Sequence, residues 1–197
     1  MDYIYEIKKI AEENGGIIDN KHAASAGVSR AMLSKLCKEN KIQRLMRGQY
    51  VLVDDIQDEL LSISMRSKHL IFSHETALFL HGISDRIPFE HSVTAPSNRV
   101  PSKAIQQDCK IYYIKPELFE LGKINLITQF GNEVPGYDLE RTICDVIRSR
   151  NKVGSETFLA ALKMYAADAR KDLNKLNNYA NEMKIAGVVR KYMEVLL

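Results

Sequence analysis

The sequence has no long hydrophobic run, since no apolar stretch approaches the ~20 residues that a membrane-spanning helix needs. Its N-terminus carries acidic residues where a secretory signal would have a basic segment followed by an apolar one. Hydrophobic residues make up 45% of the chain and charged residues 27%, which is typical of a soluble globular protein. We therefore expect a cytoplasmic protein with no membrane partner.

Cysteine is scarce, and the three residues, Cys37, Cys109 and Cys144, form no C-x-x-C pair. An odd number of widely separated thiols argues against both a disulfide framework and a zinc site. The sequence also lacks a Gly-rich phosphate loop and a nucleophile elbow. We therefore expect no cofactor, no bound metal and no catalytic residues, and we predict that the protein is not an enzyme.

Two pairs of ionisable residues nevertheless invite a catalytic interpretation. His74 and His81 are seven residues apart, so on a helix they lie about 10 Å apart along the axis, too far for one metal ion to bridge. Glu140 and Asp145 are five residues apart, which misses the i, i+4 alignment of a paired carboxylate site. His74 and His81 are better explained as residues of a structural helix that Ser73 caps. Glu140 and Asp145 are better explained as residues of a structural helix held by ion pairs.

The chain is organised around residues 23–52, "AASAGVSRAMLSKLCKENKIQRLMRGQYVL". The first part predicts two short helices joined at Gly27, because glycine adopts the positive φ of a tight turn. Asp19 and Ser29 are expected to cap these helices, since their oxygens accept hydrogen bonds from first-turn N–H groups. The second helix has an apolar stripe, formed by Met32, Leu33 and Leu36. A helix-turn-helix of this kind places its second helix in the DNA major groove.

The second part predicts a two-stranded β-ribbon that turns at Arg47-Gly48. A basic hairpin tip is typical of a wing, which lies on the DNA backbone or in the minor groove. Arg30 is the expected base reader, because an arginine near the start of a recognition helix can fork onto guanine. The predicted DNA-binding residues are Ser29, Arg30, Ser34, Lys35, Lys38, Arg44, Arg47 and Gln49.

Positive charge is concentrated in this region. Between Lys21 and Tyr50 there are seven Lys or Arg residues and one acid, Glu39, so the segment carries +6 while the whole chain carries only +3. Phosphate contacts depend on the local field, so this concentration favours DNA binding. The alternative is a small helical domain with a solvated basic face. The agreement of helix, turn, caps and hairpin favours the DNA-binding interpretation.

An acidic, polar passage, "DDIQDE" at residues 54–59, marks the expected boundary between a domain at 1–55 and a domain at 56–197. The second domain begins with helical patterns near 60–65 and 73–82, followed by three or more strands between 91 and 130. It continues with a helix in "YDLERTICDVIRSR" and three helices near 155–168, 171–185 and 187–196. The sequence therefore predicts an α+β fold: an N-terminal winged helix-turn-helix, then a larger α+β domain with a small sheet and a C-terminal helical bundle.

Nearly the whole length of the sequence resembles the AbiEi-type antitoxins of bacterial abortive-infection toxin–antitoxin pairs. The resemblance rests on the helix-turn-helix pattern from Gly16 to Leu36 and on "RGQYVL" at 47–52. It rests more specifically on "SHETALFLHGISD" at 73–85 and "YDLERTICDVIR" at 137–148. The resemblance implies that the winged helix represses its own operon, and that the C-terminal domain counters a nucleotidyltransferase-like toxin encoded beside it.

These expectations include definite partners. The DNA partner is double-stranded promoter DNA with inverted repeats, occupied by two copies of a protein that is a monomer in solution. The protein partner is the cognate toxin, engaged directly or indirectly. Two other classes stay open: a DNA-processing nuclease carried to its site by the winged helix, and a one-component regulator whose second domain senses a small molecule.

Overall fold

The structure is a computed structural model that describes residues 3–39, 41–53, 58–84 and 86–196. The chain divides into two compact units, Met1–Ser62 with Gln129–Asn132, and Ile63–Thr128 with Glu133–Leu197. Residues 54–57 of the acidic passage lie outside the described residues, so the division at residue 55 stays a prediction.

The first unit begins with an amphipathic helix, continues through two short helices and ends in a hairpin. Its elements are α1 (Tyr3–Glu13), β1 (Ile17–Asp19), α2 (Asn20–Ser25), α3 (Arg30–Lys38), β2 (Ile42–Met46) and β3 (Gln49–Leu52). The strands form an antiparallel sheet of order β1-β3-β2. Apolar residues of all three helices and the sheet share one core, which includes Ile7, Ile10, Ile18, Val28, Leu33, Leu36 and Ile42.

The sheet of the first unit differs from the expected two-stranded ribbon. The sequence predicted no strand before the first of the two short helices, but Ile17–Asp19 form β1 and pair with β3. Ile17 and Ile18 are both buried, so this strand is apolar on both faces and is too short for a period-two pattern. As a result β3 is the central strand of the sheet rather than an edge of a ribbon.

The second unit contains a five-stranded mixed sheet and a set of helices. The division between the units falls within helix α4 (Glu59–Arg66). The elements that follow it are β4 (Ile71–Phe72), α5 (His74–Leu80), β5 (His91–Pro96), α6 (Lys103–Asp108), β6 (Cys109–Ile114), a 3₁₀ turn (Pro116–Leu118), β7 (Lys123–Ile127), β8 (Glu133–Tyr137), α7 (Leu139–Arg148), α8 (Ser155–Ala167), α9 (Leu173–Glu182) and α10 (Ala186–Leu196). The strand order is β6-β5-β4-β8-β7. Strands β5 and β6, and β4 and β8, are parallel, and the other pairs are antiparallel.

Helix α7 lies at the centre of the second unit. Every residue from Leu139 to Ile147 is buried, although the segment includes three charged side chains. Its apolar residues Ile143 and Ile147 belong to a core shared with the three C-terminal helices. The α+β class, with small sheets and C-terminal helices, is thereby confirmed.

The predicted cap at Ser73 is wrong in its hydrogen bonding. Ser73 is the residue before α5, but its side chain makes no capping bond. Its hydroxyl oxygen instead accepts a hydrogen bond from Thr94 Oγ1 at 2.8 Å and lies 2.9 Å from His74 Nδ1. His74 has a left-handed φ of +46°, so the chain enters this helix in an unusual conformation. The predicted helix end at Gly82, with φ +71°, is confirmed.

Within the described part of the chain, the structure contains no helix that combines the length and the apolar character needed to cross a membrane.

Candidate nucleic-acid interface

The two helices of the helix-turn-helix are capped as the sequence predicts. Asp19 accepts hydrogen bonds from the backbone N–H groups of Lys21 and His22, each at 2.8 Å, at the start of α2. Ser29 accepts from the N–H of Met32 at 3.2 Å at the start of α3. Gly27, between the helices, has φ +78°. These contacts fix where α3 begins and therefore which of its side chains face outward.

Asp19 also pairs with the His22 ring, whose Nδ1 lies 2.7 Å from the second carboxylate oxygen. Burial favours a higher pKa for Asp19, but the hydrogen bonds and charge of His22 and the Lys21 N–H outweigh it, so the pKa is lowered. Asp19 thus remains an anion at the N-terminus of α2, where the helix dipole favours negative charge.

Helix α3 separates its side chains into a buried arc and an exposed arc. Leu33 and Leu36 are buried, and Met32 packs against the same core. At about 100° per residue, the other side of the helix forms one continuous arc. Its exposed residues are Arg30, Ala31, Ser34, Lys35 and Lys38. Arg30, Ser34 and Lys38 follow one another at i, i+4 spacing along the arc, which is the geometry that a groove-reading helix needs.

The wing consists of β2, β3 and the turn between them, and this turn is hydrogen-bonded to the helix-turn-helix. Gly48 has φ +88°, and its carbonyl accepts a hydrogen bond from the Asn20 N–H at 2.9 Å. Arg47 is exposed at this turn. The β2–β3 register shifts between Arg44 and Met46, so a bulge interrupts the alternation of side chains along β2. Arg44 is exposed, and its Nε donates to the Met46 carbonyl at 3.1 Å.

Gln49 is the exception among the eight predicted contact residues. The other seven are exposed, whereas Gln49 is only 7% exposed. The reason is the strand that the sequence did not reveal: Gln49 lies in central strand β3, opposite Asp19 of β1 and Met46 of β2. A side chain buried in this position is not available to contact DNA.

The field of this surface is positive but not uniform. All seven Lys and Arg residues between 21 and 50 are exposed. Glu39 lies 3.8 Å from Lys35 and 3.3 Å from Lys41, so it partly neutralises both cations at the end of α3. Burial raises the pKa of Cys37 against the opposing effect of Arg44, so this thiol adds no negative charge. The other five cations, Lys21, Arg30, Lys38, Arg44 and Arg47, have no acid within 4 Å among the described residues, so they dominate the positive field.

One exposed residue of the arc was missed by the sequence analysis. Ala31 has no polar group, so it was not considered as a contact residue, yet it is exposed and lies between Lys38 and Lys35 around the outward arc of α3. The helical period alone could have placed it there. Its methyl group leaves room for the helix to approach the bases, and it can contact a thymine methyl.

His74 and His81 of the second unit both make contacts within the fold. His74 is fully buried, stacks on the Tyr112 ring at 3.4 Å and has Nε2 3.0 Å from Ser149 Oγ. Burial, reinforced by the charges of Arg148 and Lys110, lowers the pKa of His74 well below its usual value, so the ring is neutral. The Nε2 of His81 lies 2.8 Å from the Tyr137 carbonyl oxygen. Among the described residues, no group of three His, Cys, Asp or Glu side chains is arranged to hold a metal ion.

Comparisons with known proteins bear on the fold of the chain and on the family of its N-terminal part. The chain is similar to the crystal structure of the RV2827C protein from Mycobacterium tuberculosis, with a TM-score of 0.70 at 12% sequence identity. The alignment covers 98% of this chain and 77% of that one, and at this identity it shows the fold alone. A search of curated proteins found no match.

A family model described as "Transcriptional regulator, AbiEi antitoxin" matches residues 5–53. These residues comprise most of α1, all of α2 and α3, and the three strands of the first sheet. The N-terminal winged helix-turn-helix therefore matches the AbiEi antitoxin family of transcriptional regulators, which confirms the expected resemblance over this part of the chain.

Proposed function

We propose that this protein is the antitoxin and autorepressor of a toxin–antitoxin operon, and that its winged helix binds promoter DNA. The observation that carries the proposal is the exposed arc of α3, where Arg30, Ser34 and Lys38 lie in line on a helix whose start is fixed by the Ser29 cap. The match of residues 5–53 to AbiEi antitoxin regulators supports both the repressor and the antitoxin role.

In the proposed complex α3 enters the major groove with its N-terminal end towards the bases. Arg30, the first residue of α3, forks onto a guanine, where a bidentate pair carries ~1–3 kcal/mol of discrimination. Ser34, Lys35 and Lys38 lie further along the arc and contact phosphates. Their contribution is independent of sequence and sensitive to salt.

The wing provides a second group of contacts. Arg47 at the turn and Arg44 on β2 are both exposed, and they contact the backbone or the minor groove beside the half-site. Because the Gly48 carbonyl is bonded to the Asn20 N–H, the wing keeps its position relative to α2 when DNA binds. We infer an inverted-repeat operator with one copy of the protein on each half.

The second unit is proposed to act on the cognate toxin, a nucleotidyltransferase-like protein encoded beside this gene. This part of the proposal follows from the resemblance of "SHETALFLHGISD" and "YDLERTICDVIR" to AbiEi-type antitoxins. The structure adds that, among the described residues of these two segments, the histidines and carboxylates are largely buried and hydrogen-bonded. A binding role for the second unit, rather than a catalytic one, fits this arrangement.

The test is DNA binding by the full chain and by Arg30→Ala, measured by fluorescence anisotropy. The probes are the DNA upstream of the gene and a scrambled duplex of the same length and composition. Arg30→Ala should weaken binding to the upstream DNA by ~5- to 150-fold, the equivalent of ~1–3 kcal/mol, and should affect the scrambled duplex much less. Lys163→Ala, which removes an exposed cation from α8 in the second unit, is the matched control and should leave both affinities unchanged.

Two results would contradict the proposal in different ways. Equal losses on both duplexes would reduce Arg30 to a phosphate contact, and base reading would then belong to another residue of the arc. If the wild-type chain bound the upstream and the scrambled DNA with the same affinity, the proposed repressor function would be wrong.

A further inference from the structure

The loop between α5 and β5 exposes two large apolar side chains. Phe89 is fully exposed, at 109% of its reference area, and Ile87 is 67% exposed. A single exposed apolar residue is ordinary, but two large ones in one loop form an exposed apolar patch, and such a patch marks a contact surface.

A cleft lies directly beside this loop. It has a volume of about 400 Å³, and its lining includes Glu75, Lys110 and Thr157 as well as Ile87 and Phe89. We call the loop residues 86–90 and this cleft the Phe89 face. All of its residues belong to the second unit, so the Phe89 face is separate from the DNA interface along the chain.

Two charged groups of the cleft, Glu75 and Lys110, are already paired within the chain. Glu75 accepts hydrogen bonds from Lys110 Nζ at 2.9 Å and from Ser92 Oγ at 2.8 Å. Lys110 Nζ also donates to the Lys152 carbonyl at 2.9 Å. Since these charges have partners, the cleft offers little to a charged ligand that would need a free counter-ion. An apolar side chain is the occupant that leaves every one of these bonds intact.

Charge around the Phe89 face is of both signs. Arg86 and Lys110 are positive, while Glu75, Glu90 and Glu156 are negative, and Arg86 lies 3.6 Å from Glu156. A surface that met a strongly charged partner would carry mainly one sign. A two-fold contact requires that one surface complement itself, with projection and recess side by side and with both signs of charge.

We propose that the Phe89 face is a contact between two copies of this chain, in which Phe89 of each copy enters the cleft of the other. A phenylalanine buries ~150–250 Å², so a contact formed by two such loops lies below the ~1,200–2,000 Å² of stable complexes. The association is therefore weak: the protein is monomeric when dilute and pairs when two copies are held close together. The proposal is independent of DNA binding.

The first test is cross-linking of the full chain with a short bismaleimide. Every variant carries Cys37→Ser, because Cys109 and Cys144 are buried whereas Cys37 is partly exposed. A cysteine at Glu90→Cys, next to the intact Phe89, should cross-link two copies at least about tenfold faster than the control Val195→Cys, since a contact raises the effective concentration of paired thiols. Val195 is 83% exposed on α10 and lies outside the Phe89 face.

The second test removes the phenylalanine. Adding Phe89→Ser to Glu90→Cys should reduce the cross-linking rate to that of Val195→Cys. In sedimentation equilibrium the average mass of the wild type should rise with concentration, whereas Phe89→Ser should stay monomeric. Because Phe89 makes no core contact, the thermal unfolding of Phe89→Ser should match that of the wild type, which separates lost contact from lost fold.

Cross-linking of Glu90→Cys no faster than that of Val195→Cys, or self-association unchanged by Phe89→Ser, would overturn the proposal. A Phe89→Ser variant that self-associates normally but no longer protects cells from the neighbouring toxin would also overturn it, and would assign the Phe89 face to the toxin.

Discussion

The two units use charged residues in opposite ways. In the first unit, all seven Lys and Arg side chains between 21 and 50 are exposed, and an acid lies within 4 Å of only two of them, Lys35 and Lys41, among the described residues. In the second unit, Arg141 and Asp145 of α7 are 0% and 1% exposed and form an ion pair at 3.1 Å. The same residue types serve as a surface field in one unit and as internal connections in the other.

The buried charges of α7 connect it to its surroundings. Arg141 donates to the carbonyls of Leu118 and Leu121 at 2.8 and 2.6 Å, and its guanidinium lies 4.1 Å from the centre of the Tyr137 ring. Glu140 accepts from the Asp172 N–H at 3.0 Å at the start of α9. These contacts tie α7 to the loop before β7 and to the helical bundle.

The contrast shows that charge alone does not locate a function. A buried ion pair is costly to desolvate and is retained only when its hydrogen bonds are largely satisfied, so it specifies geometry. An exposed cluster of one sign is unfavourable for folding and is useful only to a partner of opposite charge. Changes in the first unit should therefore alter binding, and changes at α7 should alter stability.

The largest effect should come from separating the two units. Residues 56–197 should fold alone, because a domain of this size can bury its own core. We expect this fragment to protect cells from the neighbouring toxin and to lose promoter repression completely, since every proposed DNA contact lies before it. Growth in cells that express the toxin and a promoter reporter measure the two activities.

The complementary fragment, residues 1–55, is near the ~60-residue size at which domains are marginally stable, so it should bind DNA weakly. A fragment of residues 63–197, which begins where the second unit begins, is the alternative cut if 56–197 proves unstable. Protection by the full chain only, or by the winged helix only, would refute this division of labour.

A change at Arg141 should have the next largest effect. Arg141→Met leaves Asp145 buried without its partner, and breaking a buried pair in this way costs ~3–5 kcal/mol. Burial already raises the pKa of Asp145 against the opposing charges of Arg141 and Arg148, so losing Arg141 removes much of what keeps it ionised. Urea unfolding measures the free energy, and DNA affinity should change only through the unfolded fraction.

The matched control is the double variant Arg141→Met with Asp145→Asn, which removes both charges. It should recover part of the lost stability, because no unpaired charge remains. A loss below about 1 kcal/mol in the single variant would mean that Arg141 does not hold α7 in place.

The sequence predicted the elements whose signals are local. Asp19 and Ser29 cap their helices, and Gly27 and Gly82 provide positive φ where the pattern placed them. The three C-terminal helices begin and end within a few residues of their expected bounds, because their apolar stripes are long and periodic.

The missed features depend on distant partners. Strand β1 exists because three residues pair with β3, and this pairing is what buries Gln49. Ser73 bonds to Thr94, 21 residues away, in preference to the helix that follows it. Contacts at such separations leave no periodic pattern in the sequence. The predicted capping hydrogen bond of Ser73 was therefore wrong, and Gln49 was predicted to be exposed although its side chain is buried.

The cap of α2 tests a smaller contribution within the first unit. Asp19→Ala should cost about 1 kcal/mol of stability at neutral pH, and Asp19→Asn should cost less, because asparagine also accepts first-turn hydrogen bonds. The folded-state pKa of Asp19 is lowered from 3.8, so its charge-dependent contribution is fully present above that value and is lost as pH falls through the lowered pKa. The difference between wild type and Asp19→Ala, measured by urea unfolding, should therefore shrink below about pH 4. If this difference in stability stayed constant down to pH 2, the ionised carboxylate of Asp19 would not contribute to the cap.

The smallest effect, and the sharpest test of the contrast between the units, concerns Arg47. Its side chain is exposed at the wing turn and is proposed to contact phosphate, so Arg47→Ala should weaken binding to all DNA sequences equally. Losing one phosphate contact should also flatten the plot of log affinity against log salt by ~0.9, because one counterion fewer is released. Lys163→Ala in the second unit should leave the slope unchanged, and both variants should unfold at the wild-type temperature. If the slope of the Arg47 variant stayed at the wild-type value, the wing would lie off the DNA, and the exposed arc of α3 would have to supply all of the phosphate contacts.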